Sequence, residues 1–304
     1  MASYLSLIEG GELERRKEKL YQLLSPCRLC PRECGVDRKK EKGFCGGGWK
    51  VKVASFGPHF GEERELVGRH GSGTIFFSGC NLKCVFCQNY DISVLEHGEE
   101  MEAEELAEAM LFLQRLGCHN INLVTPTHFV PQIIDALIIA VERGLRLPLV
   151  YNCGGYESVE TLRLLEGIID IYMPDIKYGD SSAGEKYSHV PDYFQVVKEA
   201  VKEMYRQVGD LVVKGGIAER GLLVRHLVLP HNQAFSREVF RFLAQEISPH
   251  TYVNIMDQYR PLFRAFQFPE ISRFPTRQEY LEAVEMAWEE GLYRGFEAKR
   301  TRWL

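Results

Sequence analysis

No apolar run in these 304 residues is long enough to cross a bilayer, and the N-terminus lacks the apolar core of a secretory signal. The expectation is a cytoplasmic protein with no membrane contact. Positive charge is not in excess either: 37 lysines and arginines face 42 aspartates and glutamates, for a formal charge of -5. That balance argues against a general nucleic-acid binder. Beyond the short tail Lys299, Arg300 and Arg302, which reads as a solvated end, no basic stripe is interleaved with aromatics. Scattered cysteine is scarce as well. Seven of the nine cysteines fall in two tight clusters, which speaks for metal binding in a reducing compartment rather than for disulfides. With 45% hydrophobic residues, the chain can build an ample core for one large domain or two modest ones.

One cluster is Cys80-Asn81-Leu82-Lys83-Cys84-Val85-Phe86-Cys87, a Cys-x3-Cys-x2-Cys spacing. It follows the apolar, β-rich stretch Thr74-Ile75-Phe76-Phe77-Ser78 and Gly79, so it occupies the loop that leaves a strand. Thiolates this close suit a soft metal or an iron–sulfur cluster. An ordinary cubane takes four thiolates, so three leave one iron without a protein ligand, and an open coordination position marks a catalytic site. The plainer alternative is a zinc knuckle completed by a remote ligand. The other cluster, Cys27, Cys30, Cys34 and Cys45, supplies four thiols at Cys-x2-Cys-x3-Cys-x10-Cys, with Pro31, Gly35 and Gly43 to turn the chain between them. Four ligands close a site, so its expected work is structural or electron-conducting; zinc and iron–sulfur both fit the spacing.

Around these motifs the chain divides into an N-terminal helix (1–26), a cysteine-rich extension and connector (27–72), a βα region (73–291) and a C-terminal tail (292–304). Leu13, Lys17, Leu20 and Leu24 give the first segment its helical period, and Pro26 ends it. Residues 49–72 read mainly as a solvated connector, with His59, Glu62, Glu63 and His70 available to line a site. From residue 73, strands are expected near 73–78, 120–125, 148–152, 169–174, 222–229 and 251–256. Helices are expected near 102–116, 130–143, 158–166, 192–208, 236–247 and 277–290, the last opened by the capping box Thr276-x-x-Glu279. Nearly continuous apolar strands such as Ile121-Asn122-Leu123-Val124 suit a parallel sheet covered by helices. Six such units predict an α/β fold, a partial (β/α)6 barrel, with its chemistry in the loops after the strands.

Those loops carry Thr125-Pro126-Thr127-His128, Asn152-Cys153-Gly154, Met173-Pro174-Asp175-Ile176-Lys177, Arg225 and the polar residues after the sixth strand. Three stretches together resemble the pyruvate formate-lyase-activating-enzyme-like branch of the radical S-adenosylmethionine (SAM) superfamily, over roughly residues 27–290. They are the cysteine loop with Phe86 before its last cysteine, Met173-x-Asp175-x-Lys177, and Arg225-x-x-Val228-x-Pro230. The resemblance implies a 4Fe–4S cluster on the catalytic cysteines Cys80, Cys84 and Cys87, its open iron chelated by SAM. It implies cofactor contacts from Phe86, Thr125, Thr127, Asn152, Gly154, Asp175, Lys177 and Arg225. It further implies one-electron reduction by a flavodoxin- or ferredoxin-like donor and a 5′-deoxyadenosyl radical that abstracts hydrogen. The first candidate substrate is a backbone glycine of a partner protein. The alternatives are another protein or a small molecule, or a non-catalytic iron–sulfur electron carrier.

Departures qualify the match. Thr125–His128 stands where the family has a Gly-Gly-Glu segment, and Asn152-Cys153 where it has an Asp-Thr pair. Cys153 reads as a small, semi-buried residue and Cys118 as a core thiol. The four extra cysteines precede the catalytic loop rather than follow it, which weakens the case for a glycyl-radical substrate.

Overall fold

Apolar strands alternating with amphipathic helices build a parallel sheet in a computed structural model that describes residues 2–8 and 10–296. The residues Lys299, Arg300 and Arg302 lie outside that range. The strands are β1 (Val51–His59), β2 (Ser72–Phe77), β3 (Glu99–Met101), β4 (Ile121–Val124), β5 (Leu149–Cys153), β6 (Ile171–Pro174), β7 (Val212–Lys214), β8 (Ile217–Leu227) and β9 (Tyr252–Met256). The helices are α1 (Glu12–Gln22), α2 (Arg64–Val67), α3 (Tyr90–Ser93), α4 (Ala103–Arg115), α5 (Val130–Glu142), α6 (Val159–Leu164), α7 (Ser181–Ser188), α8 (Tyr193–Val208), α9 (Ser236–Phe242) and α10 (Arg277–Glu289).

β2, β4, β5, β6, β8 and β9 lie side by side in that order, all parallel. The sheet does not close: β9 pairs with β8, while the outer edge of β2 is taken by antiparallel β1. The architecture is the expected α/β partial barrel. β5 and β6 are buried along their whole length, as strands covered on both faces must be. α4 turns Leu106, Met110 and Leu113 onto the sheet, and α5 does so with Ile133, Ile134 and Leu137. The capping box of α10 forms as predicted, with Glu279 N–H donating to Thr276 Oγ1 (3.2 Å) and Thr276 N–H to Glu279 Oε2 (2.7 Å).

Three expectations need correction. Residues 49–72 are not a solvated connector, since they form β1 and α2. β1 runs antiparallel to β2 from Val53↔Phe77 to His59↔Ser72. Its other edge meets β3 only over Val51–Val53, which leaves a free edge where Pro58 costs no ladder bond. The N-terminal helix is broken. A 3-10 turn over Ser3–Leu7 precedes α1, and Gly10 and Gly11 separate them with φ of 100° and 67°. Residues 292–296 are no tail: Leu292 and Phe296 are buried, and Arg294 bridges to Tyr252.

Candidate active site

The C-terminal ends of the parallel strands surround a cavity of about 380 Å³. Gly79, with φ of 89°, swings the chain out of β2 into the cysteine loop, and its N–H donates to Ile92 O (2.8 Å). Further along, Cys80 N–H donates to Cys45 O (3.0 Å) and Val85 N–H to Tyr187 O (2.9 Å). Gly154, just after β5, lets this loop pack close, since a Cβ there would lie 2.5 Å from Leu82 Cδ1 and displace that side chain.

The loop brings Cys80, Cys84 and Cys87 to one wall of the cavity. Burial pushes the Cys80 thiol up to about 12, with Cys84 and Cys87 adding to the rise. Burial and Cys84 likewise raise Cys87. Leu82 N–H donates to Cys80 Sγ (3.3 Å) and Ser188 Oγ to Cys84 Sγ (3.0 Å), and Ser93 Oγ lies 3.1 Å from Cys87 Sγ. One buried and two half-buried thiols that repel one another as thiolates form a donor set suited to a bound cationic centre.

Phe86 sits among the rings of Tyr178, Tyr187 and Tyr259, at centroid distances of 6.1, 6.3 and 5.6 Å, and lines the cavity. Beyond β6, Lys177 Nζ donates to Asp175 Oδ2 (2.8 Å), while Asp175 Oδ1 is buried without a partner. Burial works against the Lys177 cation, but Asp175 and Cys84 overcome it and keep the amine protonated. Thr125, Asn152, Gly154 and Arg225 complete the sequence-predicted lining.

Thr127 is not brought in. Thr125 takes a left-handed φ of 58°, and the chain then turns inward, so the buried Thr127 hydroxyl donates to Glu157 Oε1 (2.7 Å). His128 is buried behind the cysteine loop with Nε2 2.8 Å from Ser78 O, and burial pulls it down to about 3, leaving a neutral ring. Cys153 and Cys118 are both buried.

Sequence reasoning missed one group and the partner of a second. Glu157, fully buried beneath the cavity, also accepts from Tyr151 Oη (3.0 Å), and burial pushes it up to about 7. Nothing in the sequence set this glutamate apart from the surface ones around it. The second group is the pair Glu62 and Glu63 on the far wall. Arg225 Nε and Nη2 donate to the two Glu63 oxygens (2.8 and 2.7 Å), and Nη2 also to Glu62. Asn254 Nδ2 donates to Glu63 Oε1 (2.7 Å). Burial opposes the Glu63 charge, but the guanidinium holds its carboxyl below the usual range. The Glu-Glu dipeptide beside His59 was the one available signal.

Outside this cavity, Cys27, Cys30 and Cys45 are buried and Cys34 is exposed. Arg38 Nη1 lies 3.8 Å from both Cys27 Sγ and Cys45 Sγ. A Cβ on Gly43 would lie 3.3 Å from Cys34 Sγ and 3.5 Å from Cys45 Sγ. Among the described residues no group of three or more His, Cys, Asp or Glu is packed tightly enough to hold a single metal ion. What marks both thiol sets is their donor chemistry and mutual proximity.

An open parallel half-barrel with three thiols on the loop after its first parallel strand, facing an Asp–Lys pair, defines a class of cofactor-dependent enzyme. The family model for the radical SAM superfamily matches residues 74–217. An uncharacterized protein of Methanocaldococcus jannaschii, MJ0674, is 32% identical over 93% of this chain and 80% of its own length. A second from that organism, MJ0808, is 27% identical over 90% of this chain and 81% of its own. The pyruvate formate-lyase-activating enzyme of Clostridium pasteurianum is 30% identical over 40% of this chain and 52% of its own. A solved structure of TYW1 with a lysine-pyruvate adduct bound covers 71% of this chain and 73% of that one, at 10% identity and a TM-score of 0.45. The chain belongs to the radical SAM superfamily.

Proposed function

We propose that this protein cleaves SAM at a 4Fe–4S cluster held by Cys80, Cys84 and Cys87 and abstracts hydrogen from a segment of another protein, as an activase of a glycyl-radical enzyme does. The observation that carries the reading is the cavity itself, with three adjacent cysteine thiols on one wall and an unpartnered buried carboxylate oxygen beside a retained lysine cation. Bound there, cluster and SAM supply one-electron cleavage of the sulfonium and the carbon radical that takes the hydrogen.

The chain's own residues do the rest. Cys80, Cys84 and Cys87 would hold the cluster as thiolates, and Lys177, within electrostatic reach of Cys84, would offset their negative charge. Asp175 Oδ1 is free to accept a hydrogen bond from SAM, because Oδ2 is already committed to Lys177. Leu82 and Phe86 furnish an apolar wall that excludes water. Arg225 acts through Glu62 and Glu63, shaping the far wall.

A cavity of about 380 Å³ falls in the range of sites that take one small ligand. The substrate approaches through the mouth of the cavity, as an extended protein segment can. The partial similarity to a pyruvate formate-lyase-activating enzyme favours a backbone glycine as the target. The electron donor is a flavodoxin- or ferredoxin-like protein. No described helix is long and apolar enough to cross a membrane, and a reducing cytoplasm suits exposed iron–sulfur chemistry.

Reduced, reconstituted protein incubated with SAM and a pyruvate formate-lyase tests the substrate. A glycyl-radical doublet in the electron paramagnetic resonance spectrum is expected. Turnover of SAM with no such doublet would favour the second reading, hydrogen abstraction from another protein or a small molecule.

A further inference from the structure

We infer that Cys27, Cys30, Cys34 and Cys45 hold a second iron–sulfur cluster through which electrons enter the catalytic centre. This goes beyond the proposed SAM chemistry and concerns how the site is supplied.

Three observations converge. First, the two thiol sets share a wall. Cys45 O accepts the N–H of Cys80 at 3.0 Å, and a Cβ on Gly79 would lie 2.3 Å from Cys45 O, so no side chain fits between the two backbones at this point. Zinc has no redox chemistry and gains nothing from this adjacency, whereas an electron-carrying centre does.

Second, a buried cation is fixed on the second set. Arg38 is 2% exposed, its Nη1 touches Cys27 and Cys45 Sγ, and its Nη2 donates to Gly48 O and His128 O at 3.0 Å each. Positive charge against the sulfurs offsets the charge of a four-thiolate cluster and favours its reduced form. Gly43 keeps clear the space between Cys34 and Cys45 sulfurs that any side chain would occupy.

Third, the set has an edge on the solvent. Cys34 is exposed, and so are Arg28, Lys39, Lys40, Lys42 and the ring of Phe44 in the same segment of a chain whose net charge is negative. The Phe44 ring carries Arg32 at 4.0 Å and Lys83 at 5.5 Å, and although Glu33 and Glu41 are exposed in the same segment, cations flanking an exposed aromatic suit an acidic one-electron donor protein. In the step itself, one electron leaves the donor and reduces the second cluster. It then passes to the catalytic cluster, reoxidising the second. No bond forms or breaks.

The test begins with a Cys80/Cys84/Cys87→Ala triple variant, reconstituted anaerobically with iron and sulfide. It should retain about four irons and about four sulfides per chain, against about eight of each in the wild type, and give a reduced-cluster paramagnetic signal. Zinc without iron, or no metal at all in folded protein, overturns the proposal. This count does not depend on SAM cleavage, so it stands or falls apart from the proposed function. The relay is tested with Cys34→Ser, at the exposed edge. Deoxyadenosine formation is measured with dithionite and with photoreduced flavodoxin. The ratio of flavodoxin-driven to dithionite-driven turnover should fall at least about tenfold. An unchanged ratio would show that the electron bypasses this set, because a merely structural site would affect both reductants alike.

Discussion

Replacing Gly79 by alanine strikes the closest backbone approach described above between the two thiol sets. Its φ of 89° is in the left-handed region, where a Cβ costs about 1–2 kcal/mol. That Cβ would also lie 2.3 Å from Cys45 O and 3.1 Å from His128 Nε2, so the Cys45 backbone must retreat. Retreat breaks the bond from Cys80 N–H to Cys45 O, whose loss in a buried setting costs about another 1–3 kcal/mol. The sum is about 2–5 kcal/mol. Gly144 provides the control, with φ of 100° and nothing within 4 Å of its ideal Cβ. Gly144→Ala should therefore cost only the backbone strain, about 1–2 kcal/mol. Urea midpoints of the two variants, reconstituted anaerobically, measure the difference, and iron content should fall only in Gly79→Ala. Equal midpoints and equal iron would refute the shared wall.

Further outcomes follow from the cavity and the core. Asp175→Asn should weaken SAM binding about tenfold, read from the SAM-dependent cluster signal, while iron content holds; lost iron with unchanged SAM affinity would contradict the role given to Asp175. Arg225→Met should destabilise by about 3–5 kcal/mol, because it strands Glu62 and Glu63, and adding Glu62→Gln and Glu63→Gln should recover most of the loss. No recovery would mean that the pairing is not what Arg225 supplies. Burial holds His128 at about 3 and His226 at about 4, both well below the unfolded value of about 6.5. The unfolded chain thus binds more protons than the folded one between about pH 6.5 and 4, so stability falls as pH drops through that window, with a slope approaching ~2.7 kcal/mol per unit. His226→Gln should remove about half of that slope; the same acid profile in the variant would show that His226 does not titrate as described.

The parallel strands and most of their helices were legible because each buried face repeats with its own period and each boundary carries its own residues, Thr276 and Glu279 at α10 above all. The cysteine loop was legible because thiols at that spacing have few other uses. β1 was not, since its alternation lasts only from Val51 to Val53 before Ser55, Phe56, Gly57 and Pro58 mask it, and an edge strand tolerates that. α7 was missed because its start depends on one short-range contact, Asp180 Oδ1 accepting from Ser182 N–H (2.8 Å). Glu63 was legible as a possible lining residue but its partner was not: Arg225 lies more than 150 positions away, as Thr127 lies more than 25 from Glu157, and such long-range pairings leave no local trace.

The central claim is that the wall formed by Cys80, Cys84 and Cys87 supports SAM cleavage. The most direct measurement adds SAM to anaerobically reconstituted, dithionite-reduced protein, with Cys84→Ala in parallel. Deoxyadenosine is quantified and the paramagnetic spectrum recorded. The account predicts a SAM-shifted cluster signal and deoxyadenosine in the wild type, with both lost in the variant. A reducible cluster that ignores SAM and yields no deoxyadenosine would contradict it and leave an iron–sulfur electron carrier in its place.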